Sequence, residues 1–355
     1  MKIRLSKRAG WFALINIGLL VLATVCFIIM AWFSGLLDTV YAAPRWQGSA
    51  EMQFTQIACF LPVEQKKTED EILQFRRTLD QKLTENSLTA PANGSLYTDA
   101  WSGEDTLTVS SDFGSSKVRA FGVGGDFFLF HPLRLRSGSY LSERDLMQDR
   151  VILDETLAWT LFGSPDVAGM SVTIDGKPFR VAGVVHMEDD YASKAALGEN
   201  ACIFLSYSVL HSLKETGIDC YEIVLPNMIS GYGLDLVKAN FDTGDGVIVE
   251  NSGRYRMQNL LQVIGSFGRR SMVQKSVVYP YWENAVRITE DWLALLLLCT
   301  IVLLLCPAIT LLICTIWTLV KAARYLRKKI PAAANSVIER RRESRFLKKQ
   351  NEHRL

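Results

Sequence analysis

Residues 150–163, RVILDETLAWTLFG, and 166–185, DVAGMSVTIDGKPFRVAGVV, carry the densest structural signal in the chain. Asp154 stands where a helix N-cap belongs, because its carboxylate can accept from the free N–H groups of a first turn. ETLAWTLF follows as a short helix, and Gly163 stops it, since glycine takes the left-handed backbone of a C-terminal cap at no steric cost. Beyond it, SVTI and FRVAGVV flank Asp175-Gly176. An Asp-Gly pair between β-branched runs is the signature of a tight hairpin. Val172 and Ile174, then Phe179 and Val181, alternate with polar residues, so one face of the hairpin is buried.

Working outward, 105–110 (DTLTVS) and 117–123 (KVRAFGV) read as short strands. Another strand is expected at 201–206, then a helix at 207–216 ending at Gly217. A strand at 220–225 and a helix near 233–240 follow. On the N-terminal side, 52–61 (MQFTQIACFL) reads as a strand with no breaker before Pro62. Thr68 and Glu71 form a capping box, after which Ile72, Phe75, Leu79 and Leu83 recur at helical spacing. Residues 89–95 are turn-rich. Met257, Leu260, Leu261, Ile264 and Phe267 make an amphipathic stripe, assigned to a stalk over 255–291. Strands and helices mixed in this order give an α+β class.

This body is framed by two uncharged apolar segments, 11–37 and 292–320. A membrane span needs about 20 apolar residues, and both reach it. Val40-Tyr41-Ala42 resembles a signal-peptide cleavage site, but signal h-regions run about 7–15 residues, so a retained span is expected. The second segment is long, and tilt, a kink at Pro307 or emergence into the headgroups would absorb the excess. Residues 1–10 hold four Lys and Arg and no acid, and 321–355 hold twelve against three Glu. Basic flanks stay inside, which predicts cytoplasmic termini and an extracytoplasmic domain over 38–291. That domain has 23 basic and 34 acidic residues, so it repels phosphate and excludes nucleic acid as a partner. The basic tail is suited to anionic membrane lipids or an acidic partner. Sequence leaves 330–355 open between helix and disorder, with Pro331 and its charge density favouring partial disorder.

Chemistry is sparse. There is no P-loop, no nucleophile elbow and no CxxC pair, and GVGG at 122–125 lacks the dinucleotide fingerprint. No cofactor, metal or enzymatic activity is expected. HMEDD at 186–190 is the one dense polar cluster with a histidine, and it reads as a divalent-cation candidate or, more commonly, a solvated loop. Asn93-Gly94-Ser95 fits a glycosylation acceptor or a simple turn. Cys26, Cys299, Cys306 and Cys314 lie in the apolar segments as packing residues. Cys59, Cys202 and Cys220 lie outside, and Cys202 with Cys220 is the candidate disulfide, both being in strand-like runs.

The ordered run KVRAFGVGGDFF, LRLRSGSYLSERD, RVILDETLAWTLFG and DVAGMSVTIDGKPFRVAGVV resembles the periplasmic core domain of MacB-type ABC transporter permeases. Gly138, Glu155, Leu157, Ala158, Leu161, Phe162, Gly163, Gly169, Gly176, Phe179, Val181, Gly183 and Val184 occupy the matching places. The resemblance implies a porter-like α+β subdomain with a β-rich insertion, placed at roughly 126–206. It also implies a bacterial plasma-membrane protein that dimerises, as a homo- or heterodimer, and engages a cytoplasmic ABC ATPase just after the second span. That position is filled here by 321–329, with Lys321, Arg324, Tyr325, Arg327, Lys328 and Lys329 as the candidate partner contact. The resemblance departs at the C-terminal side: the family carries three spans after the outer domain, and one is visible here. Either a companion permease supplies the others in a non-catalytic export subunit, or the domain serves a standalone envelope adaptor or sensor.

Overall fold

The computed structural model describes residues 7–49, 51–88, 94–142, 148–269, 273–274 and 277–352. In chain order, α1 (Lys7–Ser34) and α2 (Ala42–Gln47) precede β1 (Phe54–Phe60), α3 (Glu69–Glu85), β2 (Thr98–Ser110) and β3 (Ser115–Gly125). Then come α4 (Phe127–Phe130), β4 (Arg134–Gly138), β5 (Arg150–Asp154), α5 (Glu155–Phe162), β6 (Ser171–Ile174) and β7 (Lys177–His186). They are followed by α6 (Tyr191–Leu197), β8 (Cys202–Ser206), α7 (Tyr207–Lys214), β9 (Cys220–Pro226), α8 (Tyr232–Asn240) and β10 (Val247–Glu250). α9 (Met257–Ser266), the short β11 (Val273–Gln274) and β12 (Val277–Val278), and α10 (Tyr281–Glu352) complete the chain.

Ile29–Leu295 forms the folded body. Its ten-stranded sheet runs β10-β1-β9-β2-β3-β8-β5-β7-β4. Among the described residues only β3–β8 and β5–β7 are parallel pairs. The tenth strand, β6, pairs with both β2 and β7. It thereby closes β2-β3-β8-β5-β7-β6 into a ring. Leu107, Val109, Val118, Ala120, Val151, Leu153, Val172, Ile174, Val181, Ile203 and Leu205 fill one shared core, which Leu157, Ala158 and Leu161 of α5 and Leu210 of α7 complete. The ring takes in β2 and β3, which lie outside the 126–206 expected for a β-rich insertion, together with β5, β6, β7 and β8 from within those bounds. It is not free-standing, because it shares β2 and β3 with the rest of the sheet.

In the other half of the sheet, alternation splits each strand between two faces. Ile57 and Cys59 of β1, with Tyr221, Ile223 and Leu225 of β9, pack against Ile72, Phe75, Leu79 and Leu83 of α3. Ala58, Phe60, Cys220 and Val224 face the opposite way. Each fully buried aliphatic or aromatic side chain here is worth about 1.5–3 kcal/mol.

The local signals account for their elements. Thr68 and Glu71 make the capping box of α3. Asp154 accepts from Leu157 N, and Gly163 closes α5 with φ +69°. Asp175 and Gly176 both have positive φ, as the tight primed hairpin turn requires. β2 and β3 extend well beyond the two short strands expected at 105–110 and 117–123. Glycines hid part of them: a Cβ on Gly103 would collide with the Gly217 carbonyl, and one on Gly124 would collide with the Trp101 indole. These glycines mark close approach, not a loop.

The second unit comprises α1 up to Ile28 and α10 from Leu296. Its two helices are long and apolar enough to cross a membrane. α10 is a single helix of 72 residues passing through Pro307 and Pro331, so the partial disorder expected for the tail is corrected to helix as far as Glu352.

Candidate functional site

The most heavily engineered contact in the folded body is the seat of α10 on the sheet. Pro280 precedes the helix, and Glu283 in its first turn suits the positive end of the helix dipole. Tyr281 and Trp282 are buried with Phe60, Phe121, Phe127, Phe130 and Phe204 on the sheet face opposite α3. The Trp282 ring lies 4.5 Å from the His131 ring, 5.6 Å from Phe127 and 5.8 Å from Phe121. Beneath it His131 Nε2 and Glu222 Oε2 are 2.5 Å apart. The Tyr281 hydroxyl donates to Glu188 at 3.2 Å. Burial pushes the Glu188 carboxyl above its ordinary range.

One turn further along, Arg254 reaches α10 from the loop after β10. Its Nη1 and Nη2 donate to Glu283 at 2.7 and 2.8 Å. Its Nε and Nη2 donate to Glu290 at 2.7 and 3.2 Å. Nη1 also donates to Asn251 Oδ1 at 3.0 Å. All five N–H donors of the guanidinium are thereby used. Arg287 adds a bond to Glu283 at 2.7 Å and lies 3.6 Å from the Tyr279 ring centroid. Burial pulls the Arg254 pKa down, but Glu283 and Glu290 reverse this, and the net shift is well upward. The cluster is a fixed, charged clamp.

Ala285 and Val286 of α10 pack with Leu37 and Val40, just beyond α1, and with Ala192 of α6. Buried Gln56 on β1 stitches the same segment. It accepts from Ala42 N at 2.9 Å and donates to Thr39 O at 2.7 Å. The stretches that follow α1 and open α10 are therefore gripped by one folded body.

The residues singled out from sequence fall elsewhere. Cys202 and Cys220 are free, buried thiols, and the bridge expected between them is corrected. β8 and β9 are separated by β3 and β2, a span of roughly 14 Å at about 4.8 Å per strand. A disulfide tolerates no more than about 7 Å between Cα atoms. Burial also raises both thiol pKa values. Three of the four polar residues of HMEDD bond within the fold, and Asp189 is exposed: His186 Nδ1 lies 2.7 Å from Glu155 Oε2, Glu188 accepts from Tyr281, and Asp190 caps α6 through Ala192 N and Ser193 N. Among the described residues no group of three His, Cys, Asp or Glu could hold a metal. Lys321, Arg324, Tyr325 and Arg327 are exposed on α10, with Lys321 Nζ 5.0 Å from the Trp317 ring centroid. Lys328 and Lys329 lie on the same helix, with their side chains outside the described set. Asn93 of the glycosylation motif lies outside the described residues.

A stalk was the expectation for 255–291. Its last third is the clamped start of α10. Sequence reasoning missed Arg254, Glu283 and Glu290. Glu283, Arg287 and Glu290 at i, i+4 and i+7, directly before an apolar run, were the available signal.

Residues 13–228 match the family described as the MacB-like periplasmic core domain. A 72-residue stretch is 36% identical to the macrolide export ATP-binding/permease protein MacB of Aggregatibacter actinomycetemcomitans. It covers 20% of this chain and 11% of that protein, about a tenth of the relative's length. Among solved structures, the periplasmic region of MacB from Actinobacillus actinomycetemcomitans is similar at TM-score 0.40 and 15% identity, over 61% of this chain and 94% of that one. The extracellular domain of the noncanonic ABC-type transporter YknZ from Gram-positive bacteria is similar at TM-score 0.36 and 14% identity, over 54% and 90%.

Proposed function

Since the chain belongs to the MacB-like periplasmic core domain family, we propose that it is a non-catalytic membrane subunit of an ABC-type export system. Residues 38–291 face the extracytoplasmic side, and both termini are cytoplasmic, following the basic flanks. The observation that carries the reading is α10. One helix begins inside the folded domain, held by Trp282 and the Arg254 clamp, and continues past an apolar run to exposed cations at 321–327. At about 1.5 Å per residue it is a strut long enough to cross a bilayer and extend well beyond it. A cytoplasmic ATPase or companion permease that moves 321–329 would move the outer domain through this strut.

The test is purification of the tagged full-length protein from membranes in mild detergent, with mass spectrometry of stoichiometric partners. The reading predicts an ABC ATPase, with or without a multi-span permease, and its loss when Lys321, Arg324 and Arg327 are replaced by Glu. Recovery of the protein alone, or with envelope proteins only, would replace it with a standalone adaptor or sensor.

A further inference from the structure

The seat of α10 leaves a cleft open beside it. The cleft encloses about 580 Å³ between β2, β3, the turn after α7 and the start of α10. Phe121 and Trp282 give it apolar walls, and Ser102, Asp219 and Asn284 bring polar groups to it. Ligand sites take this form, a mostly apolar hollow with a few placed polar groups.

The fold leaves those polar groups unused. Ser102 is 4% exposed, and its hydroxyl has no hydrogen bond among the described residues. Trp282 is as deeply buried, and its Nε1 has no partner. Asn284 Nδ2 donates to Tyr279 O at 3.0 Å, while its Oδ1 is buried and accepts from nothing. Asp219 Oδ2 accepts from Glu104 N at 3.0 Å, and its other oxygen has no donor among the described residues. Buried polar groups are nearly always paired, so orphans gathered around one hollow point to a ligand.

Charge selects the ligand. Arg119 is spent on Glu104, to which Nε and Nη2 donate at 2.6 and 2.9 Å. Lys214 lies 3.4 Å from Asp175, and Lys66 and Glu215 are exposed. Asp105 accepts from Thr106 N at 2.7 Å and from Thr216 Oγ1 at 3.0 Å. Asp219 has no ion pair among the described residues. Burial pushes its carboxyl up to about 7, and Glu104 and Asp105 add to the rise. A cation beside it would oppose that rise.

We propose that this cleft binds a primary ammonium group, with Asp219, Asn284 Oδ1 and the Ser102 hydroxyl accepting its N–H donors and Trp282 Nε1 donating to an oxygen of the same ligand. An ammonium carries three donors and no acceptor, which suits three uncommitted acceptors. Its source is either a small amino alcohol or a lysine side chain of a partner polypeptide. The assignment does not rest on the export reading.

Saturation-transfer NMR on the full-length protein in a neutral maltoside detergent tests this at pH 8, where Asp219 is ionised. The probes are ethanolamine, Nα-acetyl-lysine amide and tetramethylammonium, the last carrying the charge without an N–H. The expected result is saturation of ethanolamine or of the lysine amide, none of tetramethylammonium, and a dissociation constant about tenfold or more weaker in Asp219→Asn. Ser102→Ala should weaken it about threefold, and it keeps the test decisive if the first variant does not fold. Tighter binding of ethanolamine identifies a small solute, and tighter binding of the lysine amide a polypeptide side chain. Binding of neither amine, equal binding of tetramethylammonium, or an affinity unchanged in both variants would each overturn the proposal.

Discussion

The two ends of α10 are built on opposite plans. In its first three turns, Tyr281, Trp282, Ala285 and Val286 are buried in apolar cores, and both Glu283 and Glu290 are buried under one guanidinium. Over 321–327 every side chain is exposed. Burial at one end converts the helix into part of a folded domain. Exposure at the other leaves a cationic surface whose value lies in what it meets.

The largest effect should come from breaking the buried end. Arg254→Met removes the cation that joins two buried carboxylates, leaving Glu283 its bond to Arg287, and removing one partner of such a cluster costs about 3–5 kcal/mol. Urea unfolding of the full-length protein should show that loss. The triple change of Arg254→Met with Glu283→Leu and Glu290→Leu should recover part of it, because it strands no buried carboxylate, while Arg287 loses Glu283 and keeps the Tyr279 ring.

Next comes a site away from the seat. The Asp154 carboxylate accepts from Leu157 N and Cys202 N, both at 2.5 Å, and burial pushes its pKa up to about 6 against the pull of those donors. Asp154→Ala removes a cap and strands a strand N–H, a loss of about 2–3 kcal/mol. It should loosen the ring while the Trp282 environment, read by near-ultraviolet dichroism, changes less than in Arg254→Met.

A smaller effect depends on pH. Burial pushes the Asp219 carboxyl up to about 7, and Glu104 and Asp105 add to the rise. The folded chain therefore holds this proton more tightly than the unfolded one, so the stability linked to it is present below about pH 4 and is lost as pH rises to about 7. Asp219→Asn should raise the thermal midpoint at pH 8 and leave it unchanged at pH 4. The smallest effect on stability belongs to the exposed end. Replacing Lys321, Arg324 and Arg327 by Glu should shift the unfolding free energy by no more than about 0.5 kcal/mol, while abolishing partner recovery.

The same contrast explains what could be read from the chain. α3 was legible because its cap and four buried residues obey a single local rule, and the β6–β7 hairpin because Asp175-Gly176 states its own turn. The long β2–β3 pair was obscured where Gly103 and Gly124 replace the β-branched residues that announce a strand. Their reason is a neighbour's proximity, which composition does not carry. The clamp was illegible for a related cause. Arg254 sits in NSGRYR, which looks like any polar turn, and its partners lie 29 and 36 residues away on a helix whose apolar run drew attention further along. The cations proposed for a partner at 321–329 are the reverse case: their charges are plain in sequence, and the fold adds that Lys321, Arg324 and Arg327 are exposed on a helix.

Hydrogen exchange on the full-length protein in detergent tests most directly whether the start of α10 belongs to the folded domain. Amides of 285–291 should exchange as slowly as those of β9, and both should lose protection together in Arg254→Met. Exchange of 285–291 orders of magnitude faster than β9 in the unsubstituted chain, as at a fraying helix end, would contradict a strut rooted in the sheet.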